Sequence, residues 1–589
     1  MTSTTGSPGS TLNARARGWL RFIWDKATTP DDWSSAGEPL PWWDRESTSP
    51  MCSFPRFDLG ETSYGLPLMA DATPAWREVY TRIAAELCDR HTTFWAAADW
   101  LTLMGSDPNV DRYPPEWLIF IPERRRGAYA PPGWTGNGIE PWGLAPDPIG
   151  ADGNLFFRGF FNLLLGVHSY VSGDDKYRRP FPVTGYLDRQ FTWTHQDIAS
   201  FISQQLADRP EGPHCENTKV WPFCISAAGL GLKLYDAVHD TTLQRPYDSW
   251  TEFAQKYYMG LDRRGELDWF AFYYDPLARE VCSFPDSLTA YASLCITPYV
   301  FPQNPGFATD LYEKSCRLLG WSNAKARVNQ FVPDPRFLSI GLLMAREIGD
   351  TTTESRLREV VERDFQPRSF GDESDRFGFF FDWGEPYPRG QPSALLMLTE
   401  VGEPGAWSRV FNQPNLDKFH EPTVEGIDYP TLGVSTARNV RHSGELHVDT
   451  YAATPSRSGR STTWRVTQLP DSSTVRITCD GADFTRWRVL GQHGIELTTS
   501  VGDHSFSIRT GYHGEPVPRL AGSEGSGSEG SGSEGSSLGG FGSGGSSSGG
   551  FGSGQPGDTR SATDRGVAPT VRGARPRGSS ASTGPCGCC

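Results

Sequence analysis

The segment Gly212-Pro-His-Cys215-Glu216-Asn-Thr-Lys-Val-Trp-Pro-Phe-Cys224 carries two thiols and a carboxylate. A thiol that trades its proton with a nearby acid is a workable relay for acid/base chemistry. Apolar spacing after this segment predicts a helix from Ile225 to Val238, which sets Cys224 near a helix N-terminus. The positive end of the helix dipole there favours a thiolate. The competing reading is packing, since free cysteine is among the most buried residue types and behaves as a small hydrophobe. His214 precedes Cys215 and is placed to tune that thiol. His91 reads as a structural histidine at a helix edge with its ring nitrogens satisfied. Asp99 reads as a capping or ion-pairing residue, and Arg124-Arg125-Arg126 as a solvated basic run.

Helices must position these groups. Thr73-Pro74 predicts a helix start, with Trp76, Val79, Tyr80, Ile83 and Leu87 recurring at helical spacing after it. A second helix is expected near Phe94 to Met104. The third, Leu155 to Val171, is apolar almost all the way round, so it must be buried on every side. Further helices are expected at about 196–207, 224–238, 248–259, 307–319, 335–348 and 392–400, without long alternating strands between them. From about 434 the period becomes two: Leu446/Val448, Trp464/Val466, Val475/Ile477, Ile495/Leu497/Val501 and Phe506/Ile508 alternate with polar residues.

The expected organisation is an extended arm over residues 1–50, a helical catalytic domain over 51–425 and a small antiparallel β domain over 426–515. The tail, 516–589, is rich in Gly and Ser and buries too little apolar surface to order itself. The composition counts 64 Gly and 46 Pro. A net charge of −15 speaks against sequence-independent nucleic-acid binding, which rests on Lys and Arg neutralising phosphates. No run approaches a spanning helix, and the start does not look like a secretory signal. Eleven cysteines, an odd count, fit free thiols in a reducing cytoplasmic setting. The terminal Cys586-Gly587-Cys588-Cys589 resembles prenylated double-cysteine ends, but so short a motif arises easily by chance, and no lipid anchor is assigned.

Around the thiols the chain resembles the linalool dehydratase-isomerase family. The match runs Cys215-Glu216…Cys224…Leu234-Tyr235-Asp236, with Thr73-Pro74…Tyr80 and Asp147-Pro148-Ile149…Arg158-Gly159…Asn162-Leu163…Gly166…Val171-Ser172-Gly173 before it. Phe272-Tyr273-Tyr274-Asp275-Pro276 and Leu342-Leu343-Met344-Ala345-Arg346-Glu347-Ile348-Gly349-Asp350 follow in the same order. Each motif alone is weak; their collinearity over about 50–405 carries the resemblance.

The resemblance implies a mainly α fold, an (α/α)6 barrel with its site in the central cavity, and a possible homo-oligomer. It implies a cofactor-free, metal-free lyase or isomerase that moves water on an isoprenoid alcohol or a prenylated small molecule. Cys215 and Cys224 would then be the acid/base pair, supported by Glu216, with Tyr80 and Tyr274 lining the pocket. Asp58 and Tyr64 have the family's mutual spacing for an Asp/Tyr pair, although they lie nearer Thr73-Pro74 than the family pattern places them. Where the family has a His after the third helix's Lys-Gly, this chain has Phe160 after Arg158-Gly159. That change predicts an apolar wall from Phe156, Phe157, Phe160 or Phe161, with the thiols facing it. It favours a longer prenyl chain, or a cyclisation begun by proton transfer. A second reading is a carbohydrate-active (α/α)6 enzyme, which needs opposed carboxylates roughly 5–10 Å apart.

Overall fold

The computed structural model describes residues 11–43, 55–97 and 147–515, apart from 152, 186–187, 216–218, 277–278, 285–286, 324–334 and 383. Glu216, Asp99, Arg124–Arg126 and the Gly/Ser tail lie outside the described residues. The described chain is helix-rich, with small antiparallel sheets. Among the described residues no helix is long and apolar enough to cross a membrane.

The expectation of an extended arm fails where the N-terminus is described. Ala14–Thr28 is a helix, α1, capped by the Asn13 side chain, which accepts from the Ala16 amide. Ala16, Trp19, Leu20, Ile23 and Ala27 recur at helical spacing between arginines and are buried. Interleaved charge hides this stripe from a reading by mean polarity. Near its C-terminus α1 delivers Lys26 into the protein, where Nζ lies 2.6 Å from both carboxylate oxygens of Asp58 on α2 (Pro55–Thr62). Both side chains are buried. A Cβ on Gly390 would stand 1.7 Å from Asp58 Oδ1, so only glycine permits the carboxylate to sit there.

The remaining helices are α3 (Gly65–Ala72), α4 (Glu78–His91), α5 (Leu155–Ser172), α6 (His195–Asp208), α7 (Pro222–His239) and α8 (Arg245–Tyr257). After them come α9 (Ser287–Val300), α10 (Pro305–Leu318), α11 (Arg336–Ile348), α12 (Thr351–Asp364), α13 (Gly390–Val401) and α14 (Ala406–Asn412). Helix α2 packs on α5, α5 on α7, α7 on α9, α9 on α11, α11 on α13, and α13 returns to α2. Small residues let α5 and α7 meet closely: a Cβ on Gly231 would lie 3.0 Å from the Leu163 amide nitrogen. The all-apolar α5 is buried along nearly its whole length, as its sequence requires.

The Thr73-Pro74 start is displaced, because residues 73–77 turn before α4 begins at Glu78. Of the helix expected near Phe94, the described part is one 3-10 turn, Trp95–Ala97. Short strands interrupt the helical region, among them a three-stranded sheet whose central strand is Leu267–Asp275. That strand reads LDWFAFYYD, an aromatic run without alternation, so period alone does not reveal it.

From Thr423 onward the chain forms two antiparallel sheets, of five and four strands. Trp464 of one meets Phe506 of the other at 5.3 Å, so their apolar faces share a core. The β region is tied to the helices through backbone bonds from Leu12 to Ser435, Ala75 to Ala437 and Val424 to Ala75.

Removing one member of a buried ion pair leaves the other uncompensated and costs about 3–5 kcal/mol. Lys26→Met should therefore lower the free energy of denaturant unfolding by that order. Lys26→Met/Asp58→Asn should recover a large part of the loss. Simple additivity of the two single variants would show that the pair is not coupled.

Candidate active site

The helices α2, α7, α9, α11 and α13 send side chains to one enclosed space. Among the described residues Glu61, Phe223, Cys295, Pro298, Tyr299, Arg336, Ile340, Gln391 and Leu395 line it. The cavity is small, about 10 Å³, which is room for roughly one water molecule. The sixth helix of the cycle, α5, meets the wall through Phe160. Phe160 lies edge-on to Phe57 at 5.0 Å and to Tyr299 at 6.1 Å, and 5.4 Å from Phe223. Phe223 in turn stands edge-on to Tyr299 at 5.4 Å.

Glu61 is the acid in this wall. Its Oε1 accepts from Gln391 Nε2 at 3.0 Å and from the Tyr299 hydroxyl at 3.3 Å. Its Oε2 is buried with no hydrogen-bond partner among the described residues. Burial penalises the ionised form, while Gln391, Arg336 and Tyr299 favour it; burial wins, and the carboxyl is pushed up to about 7. The Tyr64 and Tyr299 hydroxyls lie 3.3 Å apart, both raised well above the usual phenol range by burial first and by the Glu61 charge next.

The residues singled out in the sequence fall into separate groups. Asp58 and Tyr64 flank Glu61 on the same stretch of chain, but Asp58 is held by Lys26 and by the Thr62 hydroxyl at 3.1 Å. Cys215 is fully buried, and its Sγ accepts from the Phe156 amide at 3.1 Å, in the first turn of α5. It therefore touches the third predicted helix instead of facing it across the cavity. Its loop is fastened at Val220, which exchanges two 2.9 Å backbone bonds with Tyr274, and at Lys219, 3.6 Å from Asp275. Cys224 sits in the first turn of α7, beside the cavity residue Phe223. The thiol in the described cavity wall is Cys295 of α9, not Cys215 or Cys224.

Tyr80 is turned to Thr73, with hydroxyls 2.7 Å apart, and packs on Trp76. Phe161 stacks on His91 at 4.5 Å, Phe157 flanks the same ring, and Phe156 lies under the Arg56 guanidinium at 3.7 Å. Of the four phenylalanines expected to form the wall, Phe160 is the one that meets cavity residues. His91 departs from expectation: it is buried between aromatic rings with neither ring nitrogen hydrogen-bonded among the described residues, and burial pushes it down to about 3. His214 turns Nδ1 to Arg209 at 3.1 Å.

Sequence reasoning passed over Glu61, Tyr299, Arg336, Gln391 and Cys295. The available signal was Glu61 itself, three residues after Asp58 and so on the same helical face, just before the apolar run Gly65–Ala70. The wall of the cavity holds one carboxyl among its described residues, not an opposed pair.

Glu61 titrates near pH 7 folded against 4.5 for an ordinary glutamate. Its folded form holds the proton more tightly, so the stability this gives is fully present below about pH 4.5 and is lost as pH rises through 7. Glu61→Gln has no such loss. Between pH 4.5 and 8 the variant should gain about 3 kcal/mol on the parent protein in unfolding free energy. A constant difference across that range would show that Glu61 is not perturbed.

Two solved structures are similar in outline: an endoglucanase from Clostridium thermocellum complexed with cellotriose, and a GH127 beta-L-arabinofuranosidase from Geobacillus Stearothermophilus T6. The first is 9% identical, with a TM-score of 0.30, over 85% of this chain and 93% of that one. The second is 12% identical, with a TM-score of 0.25, over 83% and 80%. Likenesses at this level carry no functional argument. The sequence of residues 136–374, which holds both motif thiols and the helices from α5 to α12, matches the family model of linalool dehydratase/isomerase, the same family that the motifs resemble.

Proposed function

We propose that this chain is a lyase or isomerase that removes, returns or relocates water on an isoprenoid alcohol inside the space enclosed by α2, α5, α7, α9, α11 and α13. The closed cycle of packed helices supports an (α/α)6 barrel, with these six as its inner ring. The observation that carries the function is the family match over 136–374, which includes four of those six helices. Protonation of an allylic hydroxyl lets the C–O bond break with departure of water. The cation that remains loses a neighbouring proton to give a diene, or takes water at the other end of the allyl system. An apolar space with the ring faces of Phe160, Phe223 and Tyr299 close by suits such a cation.

In this reading Cys215, at the α5 N-terminus, and Cys224, at the α7 N-terminus, relay protons, with Glu216 as their supporting acid. Tyr274 serves that relay from outside the described wall, by fastening the thiol loop through Val220. Asp58 acts by position, holding α2 through Lys26. The cavity must widen to admit any prenyl chain, because its present volume suits one water.

Purified protein incubated with ten-, fifteen- and twenty-carbon allylic alcohols should form dienes or transposed alcohols, identified by gas chromatography with mass detection. Cys215→Ala and Cys224→Ala should each abolish this with the fold intact; full turnover in either would remove the thiols from the mechanism. Monocyclic products would instead show capture of the cation by a distant alkene.

Phe160 sets the length preference in this account. Each buried methylene adds about 0.8 kcal/mol, so five further carbons add about 4 kcal/mol against about 1 kcal/mol for a hydrogen bond from a histidine. The fifteen-carbon alcohol should therefore have the lower KM, and Phe160→His should weaken it selectively. A ten-carbon preference in the unmodified protein would contradict this.

A further inference from the structure

We propose that Glu61 is a catalytic acid/base group of this site: its buried Oε2, unpartnered among the described residues and carried by a side chain of the cavity wall, gives a proton to the hydroxyl of an allylic alcohol. The inference rests on the reaction proposed above and adds to it the group that exchanges the proton with the substrate, the thiols relaying protons behind it. The step balances within the protein. The O–H bond of the carboxyl breaks and the proton joins the substrate oxygen. The C–O bond then breaks, and its electron pair leaves with water. The allylic cation next loses a proton from an adjacent carbon to the Glu61 carboxylate, the C–H pair becomes the new double bond, and the acid form is restored. Alcohol becomes diene plus water, with no oxidant or cofactor consumed.

Three observations favour Glu61 for this role. It lies in the cavity wall itself, where neither Cys215 nor Cys224 is found. One oxygen is anchored by Gln391 and Tyr299 while the other is buried and unpartnered among the described residues, which is the geometry of a positioned donor with a free face. The groups that face it explain both of its states. Burial keeps it protonated near neutrality, whereas Arg336 on α11 stabilises the carboxylate left behind once the proton has gone. Asp58, on its own helix, opposes ionisation and is itself matched by Lys26. The Tyr64 and Tyr299 hydroxyls stay neutral across the working range, and Cys295 is the thiol in the same wall. A cation and the Glu61 carboxylate thus form and vanish together, so the net charge of the cavity does not change during the step.

The test uses a cation probe whose binding does not depend on turnover: protonated N,N-dimethyloctylamine, a ten-carbon ammonium, titrated calorimetrically into the full-length protein. The amine stays charged between pH 6 and 8, while Glu61 must lose its proton to pair with it. Affinity in the unmodified protein should fall about tenfold from pH 8 to pH 6, with proton release visible in the buffer dependence of the heat. Glu61→Gln should bind at least about tenfold more weakly at pH 8, with no dependence over this range. Glu61→Asp, which keeps the charge, should retain a pH dependence. Absence of binding by the parent protein, or an unchanged pH dependence in Glu61→Gln, would overturn the assignment. A parent protein that gives the expected binding signature yet converts no isoprenoid alcohol would sink the proposed reaction and leave the acid site standing.

Discussion

A carboxyl group enclosed by packed helices is expensive to ionise, and the arrangement around Glu61 follows from that constraint. Asp58 and Glu61 sit within one helical turn of each other on α2, yet their environments differ. Asp58 is matched by the ammonium of Lys26 and by the Thr62 hydroxyl. Glu61 makes no ion pair among the described residues; it has an amide and a phenol at one oxygen and nothing at the other. Like charges this close disfavour each other, so matching one of them with Lys26 confines the uncompensated acid to a single position. That pairing needs α1 as a buried helix and a glycine at 390. The N-terminal segment therefore belongs to the machinery that defines the site.

Much of the scaffold can be read from the sequence, and the failures have physical causes. Helices α7, α11 and α13 are buried over most of their length and follow from their apolar runs, whereas α6, α8 and α10 follow from apolar spacing because one face is buried and the other is wet. The C-terminal strands follow from a period of two for the same reason. Helix α1 is missed because arginines between its apolar positions keep its mean polarity high. Helices α2 and α3 are short and buried nearly all round, so they lack a polar face to mark a period. The strand Leu267–Asp275 is an aromatic run for the same reason. At the site, the Cys215–Cys224 segment is conspicuous because cysteines near a helix start are rare and local. Glu61, Arg336, Tyr299 and Gln391 come from four helices spread along the chain, and no local pattern joins them. Only the closed cycle of helix contacts brings them together.

The aromatic wall gives the site its chemical character. Phe160 stands where the resembled family carries a histidine, and it meets Phe57, Phe223 and Tyr299, not a polar partner. Substitution of a titratable ring by phenylalanine removes a hydrogen-bonding handle and leaves Glu61, Tyr299, Arg336 and Gln391 as polar side chains of the described wall. Selection by chain length and proton transfer at Glu61, as proposed, would both follow from the same packing. A buried unpartnered oxygen costs stability, and burial also holds a proton on it at a pH where ordinary carboxylates have none.

The most direct measurement is a crystal structure of the full-length protein with an unreactive fifteen-carbon isoprenoid ether or alcohol analogue bound. The account predicts the chain between Phe160, Phe223 and Tyr299, in a cavity widened from its present volume, with the analogue's oxygen within hydrogen-bond distance of Glu61 Oε2. An analogue bound elsewhere, with the Glu61 cavity still closed, would contradict it.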